Sequence, residues 1–314
     1  MSLNLPENHQ QYYEGIVERS EKYIKLGYWS EIDLATLHGW LNNFNTKEEK
    51  YFSALILDKL VYRNEMTIKS MFSKLFHINL PNILEDKNIY LNQTSLEEWE
   101  KLLRKPKKES NLPFRFTTIT SENELGDSGA DFMRRLRRYY LVNRELIIRI
   151  DKKKESEVNT LIVIDDLIAS GEQTITFIED NIDMINQYRY IIFMPLMGNS
   201  IGINKVKEKI KKLEYMEQLN EDIIFIKPVE FILENDSFFY EKQNTYKIDG
   251  KNTIEDLKNF YQNFIKSKIK TSEIFGHGNL SLVLIFSSGI PDNTLPIIYE
   301  DNEDTNWKAL YEKF

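Results

Sequence analysis

Residues 161–174, LIVIDDLIASGEQT, constrain this chain more than any other stretch. An apolar or β-branched run, Thr160 to Ile164, meets two adjacent aspartates, Asp165 and Asp166. Leu167, Ile168 and Ala169 follow. Ser170, Gly171, Glu172, Gln173 and Thr174 then open an amphipathic stretch. The pattern predicts a buried strand, a tight loop and a helix. Such a run, with polar groups at its carboxyl end, fits a strand covered on both faces of a parallel sheet. Ligands of open parallel sheets bind just outside the carboxyl ends of the strands. The first amides of the following helix lack intrahelical partners, and the helix dipole favours an anion there. Gly171 keeps a Cβ out of that anion's approach, and Ser170 and Thr174 offer hydroxyls. Ionised, Asp165 and Asp166 only accept hydrogen bonds, which suits sugar hydroxyls or a divalent cation. The plain alternative is a buried strand with an acidic turn before a helix.

The segment resembles the ribose-phosphate-binding motif of type I phosphoribosyltransferases. The resemblance implies that Asp165 and Asp166 hold the ribose hydroxyls of phosphoribosyl pyrophosphate and a Mg²⁺ ion. It implies that the loop Ala169 to Thr174 holds the 5′-phosphate. Ser170 and Gly171 match the start of the family's loop. Gln173 stands where the family has Thr or Ser, with Thr174 one residue on. Glu172 sits at a variable position, and a carboxylate beside a phosphate has to point away or help hold a cation.

With 314 residues, 41% hydrophobic and 29% charged, the chain can build one large or two ordinary cored domains. It has no cysteine, which excludes disulfides, thiolate metal sites and a cysteine nucleophile, and suits a reducing cytoplasm. The opening MSLNLPENHQ lacks the basic and apolar regions of a signal peptide. No apolar run approaches the roughly 20 residues that span a bilayer. A net charge of −8 argues against nucleic-acid binding by the whole surface but leaves local basic patches.

Residues 1 to 110 read as a helical region with a connector. Ser30 is the expected cap before the stripe Leu34, Leu37, Trp40, Leu41. Thr46 with Glu49 opens a second helix, and a third covers Met66 to Phe76. Trp40, Leu41 and Phe44 read as helix-bundle core. The connector carries a short helix, Ser95 to Leu103, and the basic run RKPKK, Arg104 to Lys108. Such runs are most simply solvated, or else they meet a phosphate-rich partner. The boundary is expected near residue 110, with an α/β domain over 111–314.

In that domain Phe114 to Thr120 alternates like a strand. After a loop, Ser128 and Gly129 open a helix bearing Arg134, Arg135, Arg137 and Arg138. By order along the chain, the resemblance places pyrophosphate at Gly126 to Gly129. Leu146 to Ile150 is expected as a second core strand, and Lys152 to Lys154 lie in the charged loop after it. Thr174 to Ile185 is expected as the crossover helix. Tyr190 to Leu196 is the next strand, Lys205 to Leu213 a helix and Ile223 to Ile226 a further strand. This alternation predicts a phosphoribosyltransferase-like parallel sheet flanked by helices. Leu280 to Phe286 reads as one more buried strand.

The central motif, the Trp40–Leu41 helix and the tail from Phe275 to Leu310 together resemble phosphoribosyltransferase-like proteins of bacterial conflict systems, some of them retron effectors. This implies an anti-phage, toxin-like setting. Its partners would be phosphoribosyl pyrophosphate or a nucleotide, and a reverse transcriptase–nucleic acid complex or another defence protein, with no membrane. Three functions remain open from the residues: a Mg²⁺-dependent phosphoribosyl transfer or hydrolysis, a non-catalytic sensor of a nucleotide or phosphosugar, and a scaffold acting through macromolecular contacts.

Overall fold

The computed structural model describes residues 3–90, 95–119, 128–150, 155–233, 236–239 and 251–312, with the backbone alone at 107, 110 and 128–131. The helices are α1 (His9–Lys25), α2 (Leu34–Leu41), α3 (Lys47–Lys59), α4 (Glu65–Lys74), α5 (Leu80–Asp86), α6 (Leu96–Arg104), α7 (Lys107–Ser110), α8 (Ser128–Tyr140), α9 (Glu172–Asp180), α10 (Ile182–Ile185), α11 (Ser200–Tyr215) and α12 (Ile254–Lys266). The strands are β1 (Val61–Arg63), β2 (Phe114–Thr117), β3 (Thr160–Ile168), β4 (Tyr190–Asn199), β5 (Ile224–Ile226), β6 (Glu230–Ile232) and β7 (Leu284–Phe286). No helix among the described residues is long and apolar enough to cross a membrane.

Local chemistry sets many of the helix starts. Thr46 and Glu49 form a reciprocal capping box on α3, and Ser95 and Glu98 form another on α6. At α2 the cap is Asp33 rather than Ser30. Its carboxylate accepts from the Thr36 amide at 2.7 Å, a stronger acceptor than a hydroxyl.

The chain divides into two units, Met1–Thr67 with Glu234–Phe314, and Ile68–Leu233. Residue 110, where a single boundary was expected, lies inside the second unit. The first unit is discontinuous because the tail supplies apolar surface that the N-terminal helices need. Phe44 stacks on Phe264 at 5.5 Å and meets Trp307 edge-on at 5.5 Å. Trp40 is 0% exposed, and its indole N–H donates to Ile297 O at 2.8 Å. The expected burial of Trp40, Leu41 and Phe44 is observed. The tail strand is shorter than expected, Leu284–Phe286, and pairs with β1 in a two-stranded parallel sheet of this unit.

The second unit carries the main sheet, in the order β2-β3-β4-β5, with β6 also paired to β4 and every pairing parallel. It is an α/β fold with a phosphoribosyltransferase-like parallel sheet flanked by helices. On one face Leu161, Val163 and Phe193 pack with Phe177 and Ile178 of α9 and Val206 of α11.

Several element boundaries differ from expectation. The stretch Leu146 to Ile150 is not a strand. Asn143 caps a single 3-10 turn over Arg144–Leu146, leaving only one bridge, Phe116 to Ile147. β2 ends at Thr117. The expected crossover helix breaks into α9 and α10 at Asn181, whose side chain donates to Phe177 O at 2.8 Å. β3 and β4 run further than their apolar segments, because each pairs with the other through Ile168 and Gly198.

Candidate functional site

β3 lies between β2 and β4, with Phe116 opposite Ile162 and Asp165 opposite Pro195. The aspartates therefore sit within the strand, three and two residues before its end. Successive side chains of a strand point to opposite faces. Asp165 shares the face of Leu161 and Val163, under α9 and α11, and is 4% exposed. Asp166 shares the other face with Ile162 and Ile164 and is half-buried. Its Oδ1 accepts from the Leu167 amide at 2.7 Å. The two carboxylates thus differ in burial, and Asp166 is the more accessible of the two.

Past Ile168 the chain turns at once into α9. Gly171 caps the helix with φ of +81°, a left-handed conformation that favours glycine. The first helical bond runs from the Ile175 amide to Gly171 O at 2.9 Å. The amides of residues 172–174 thus have no acceptor within the helix. Ser170 Oγ accepts weakly from the Glu172 amide, at 3.4 Å.

The loop side chains divide by exposure. Ser170 is half-buried and Gln173 exposed, whereas Ala169, Gly171 and Thr174 are buried, Thr174 at 2%. Glu172 resolves its electrostatic difficulty by pairing with Lys205 Nζ of α11 at 2.8 Å. Gly171 has a further role that its sequence context hides. A Cβ there would stand 2.6 Å from Gly202 O and 2.8 Å from Val206 Cγ2. Glycine at 171 is what lets α11 dock this closely.

α11 begins at Ser200, five residues before the expected start. Asn199 caps it, accepting from the Ile201 amide at 2.9 Å. Its first turn lies against residues 169–171, at the end of the strand beside β3. Sequence reading missed Asn199, Gly202 and Lys205. The available signal was Asn199-Ser200 as a cap pair after an apolar run.

Ser128 and Gly129 open α8, but their side chains lie outside the described residues, as do the loop 120–127 and Lys152 to Lys154. Among the described residues no three His, Asp or Glu side chains stand together as a metal cluster. Mg²⁺ commonly takes one or two carboxylates and completes its shell from water and substrate phosphates. Asp166 fits that mode as a single protein ligand.

The model of the family described as PRTase-CE matches residues 37–313. Comparison with curated proteins finds no match.

Proposed function

The chain belongs to the PRTase-CE family, and from that premise we propose that the edge of the sheet after β3 binds a phosphorylated ribose. The ligand is phosphoribosyl pyrophosphate or a nucleotide. The observation that supports this most is the turn at Gly171. It sets the first-turn amides of α9 just past the carboxyl end of a central parallel strand, a few residues after the half-buried Asp166. The amides and Ser170 would take the 5′-phosphate, and Asp166 would take ribose hydroxyls or Mg²⁺. When bound, the cation would supply charge neutralisation at the pyrophosphate. Transfer would break the bond from ribose C1 to pyrophosphate and form one to an acceptor or to water. Site groups would act by position and charge.

A second reading, a sensor that binds without turnover, draws support from the burial of Asp165 and Thr174. Fewer groups then face the ligand than the transferase motif uses. Under either reading the resemblance to conflict-system proteins supports a cytoplasmic anti-phage effector, engaged by a reverse transcriptase–nucleic acid complex or another defence protein.

Calorimetry with phosphoribosyl pyrophosphate and Mg²⁺ tests the site. Wild type should bind, and Asp166→Asn should lose at least tenfold in affinity with its circular dichroism unchanged. Phosphorus NMR separates the readings, since released pyrophosphate marks the enzyme. A wild-type protein that binds neither this ligand nor any nucleotide would overturn the proposal.

A further inference from the structure

Two basic segments far apart in sequence meet in the second unit. The Asn143 amide donates to Leu103 O at 2.9 Å, and Asn143 Nδ2 donates to Arg104 O at 3.3 Å. Arg104 Nε donates to Tyr140 O at 3.3 Å. These bonds join the carboxyl ends of α6 and α8. Lys101, Arg104, Lys105, Lys108, Arg137, Arg138 and Arg144 are all exposed, each within four residues of a bonded residue. Over residues 97–109 and 134–145 the sequence holds ten Lys and Arg against five Glu, in a chain whose net charge is −8.

Helix ends alone do not account for this surplus. Two helix carboxyl termini carry together about one negative charge. Lys101 and Arg104 pair within their own helix, with Glu97 and Glu100. Among the described residues, Lys105, Lys108, Arg137, Arg138 and Arg144 make no ion pair.

We infer that this face is a docking surface for the phosphate backbone of a nucleic acid. Three of the five unpaired cations are arginines, whose planar forks match phosphate oxygens in pairs. A protein partner would call for an apolar centre. Among the described residues of these two segments, Leu141 is the one large apolar side chain that is exposed, at 59%. Contacts confined to phosphates carry no sequence preference, so binding should be general and steeply salt-dependent. The acidic remainder of the chain should confine the nucleic acid to this face. The inference stands apart from the proposed phosphosugar site, since none of its residues belongs to that site.

The test is fluorescence anisotropy with a labelled 30-nucleotide single strand of mixed sequence. Wild type should bind at 50 mM salt and weaken by at least tenfold at 200 mM. The triple variant Lys105→Glu, Arg137→Glu, Arg138→Glu should lose at least tenfold in affinity at 50 mM, and its salt slope should flatten by about two. Lys25→Glu on α1, exposed and remote in sequence, should change neither. Because exposed side chains alone are altered, circular dichroism should match wild type. The single variant Arg138→Glu, with a smaller loss in the same direction, guards against misfolding of the triple. Absence of binding at 50 mM, an equal loss in Lys25→Glu, or tighter binding of a poly-glutamate peptide than of the strand would each overturn the inference. The last result would assign the face to an acidic protein.

Discussion

The backbone of Gly202 lies against the carbonyl of Ala169, so close that a Cβ at 202 would collide with that oxygen and stand 3.0 Å from Gly171 N. The first turn of α11 therefore holds the loop between β3 and α9 in place. Two glycines, 31 positions apart, permit one close approach of backbone to backbone.

Gly202→Ala should consequently destabilise the protein by about 1–3 kcal/mol, the usual range for overpacking a filled interior. Gly15→Ala is the control. It lies in α1 with open space around it, and helix propensity predicts a gain of up to about 1 kcal/mol. Urea unfolding followed by circular dichroism measures both. Equal effects of the two changes would show that the approach at Gly202 relaxes without cost.

Trp40→Phe removes the bond from the indole N–H to Ile297 O, leaving a buried carbonyl without that donor. The expected loss is about 1–3 kcal/mol, centred on the unit that joins the N-terminal helices to the tail. Hydrogen exchange should show faster amides in both α2 and residues 295–311. Faster exchange in α2 alone would argue that the tail holds its place independently.

Arg115 is buried on β2, donating to Leu112 O at 2.8 Å, Phe114 O at 2.7 Å and Glu155 Oε2 at 2.7 Å. Glu155→Gln keeps the shape but removes the charge facing a buried guanidinium. A charge-assisted bond of this kind contributes roughly 2 kcal/mol. The midpoint of thermal unfolding should fall for Glu155→Gln and stay put for Glu157→Gln, an exposed neighbour.

Burial pushes the phenols of Tyr261, Tyr299 and Tyr311 above their ordinary value. Tyr261 also donates to Ile274 O at 2.7 Å. An unfolded tyrosine ionises near pH 10. These three groups thus favour folding fully below about pH 10, and that contribution is lost as pH rises beyond it. Alkaline titration should give a delayed phenolate absorbance that rises together with loss of circular dichroism. A smooth rise at the ordinary midpoint for every tyrosine, with structure retained, would contradict the buried placement.

Much of the second unit was legible because its signals are local. The run Thr160 to Ile164 is short, mostly β-branched and followed by polar residues, which favours a strand covered on both faces, and Ser170-Gly171 is a turn-and-cap signal whatever surrounds it. Capping boxes at Thr46 and Ser95 are likewise chemistry within four residues. The extent of β3 was not legible. Leu167 and Ile168 read as a loop until the ladder to Met197 and Gly198 is known.

By itself the sequence determined the strand–turn–helix at 160–180, the parallel alternation of the sheet and the burial of Trp40, since each depends on periodicity and short-range hydrogen bonding. Tertiary structure alone decided three things. The tail joins the N-terminal helices, Gly171 lies against Gly202 of α11, and the carboxyl ends of α6 and α8 meet through Leu103, Arg104, Tyr140 and Asn143. Each is a pairing of residues distant along the chain, which depends on how surfaces fit once the elements exist. No pattern within a single segment encodes that fit.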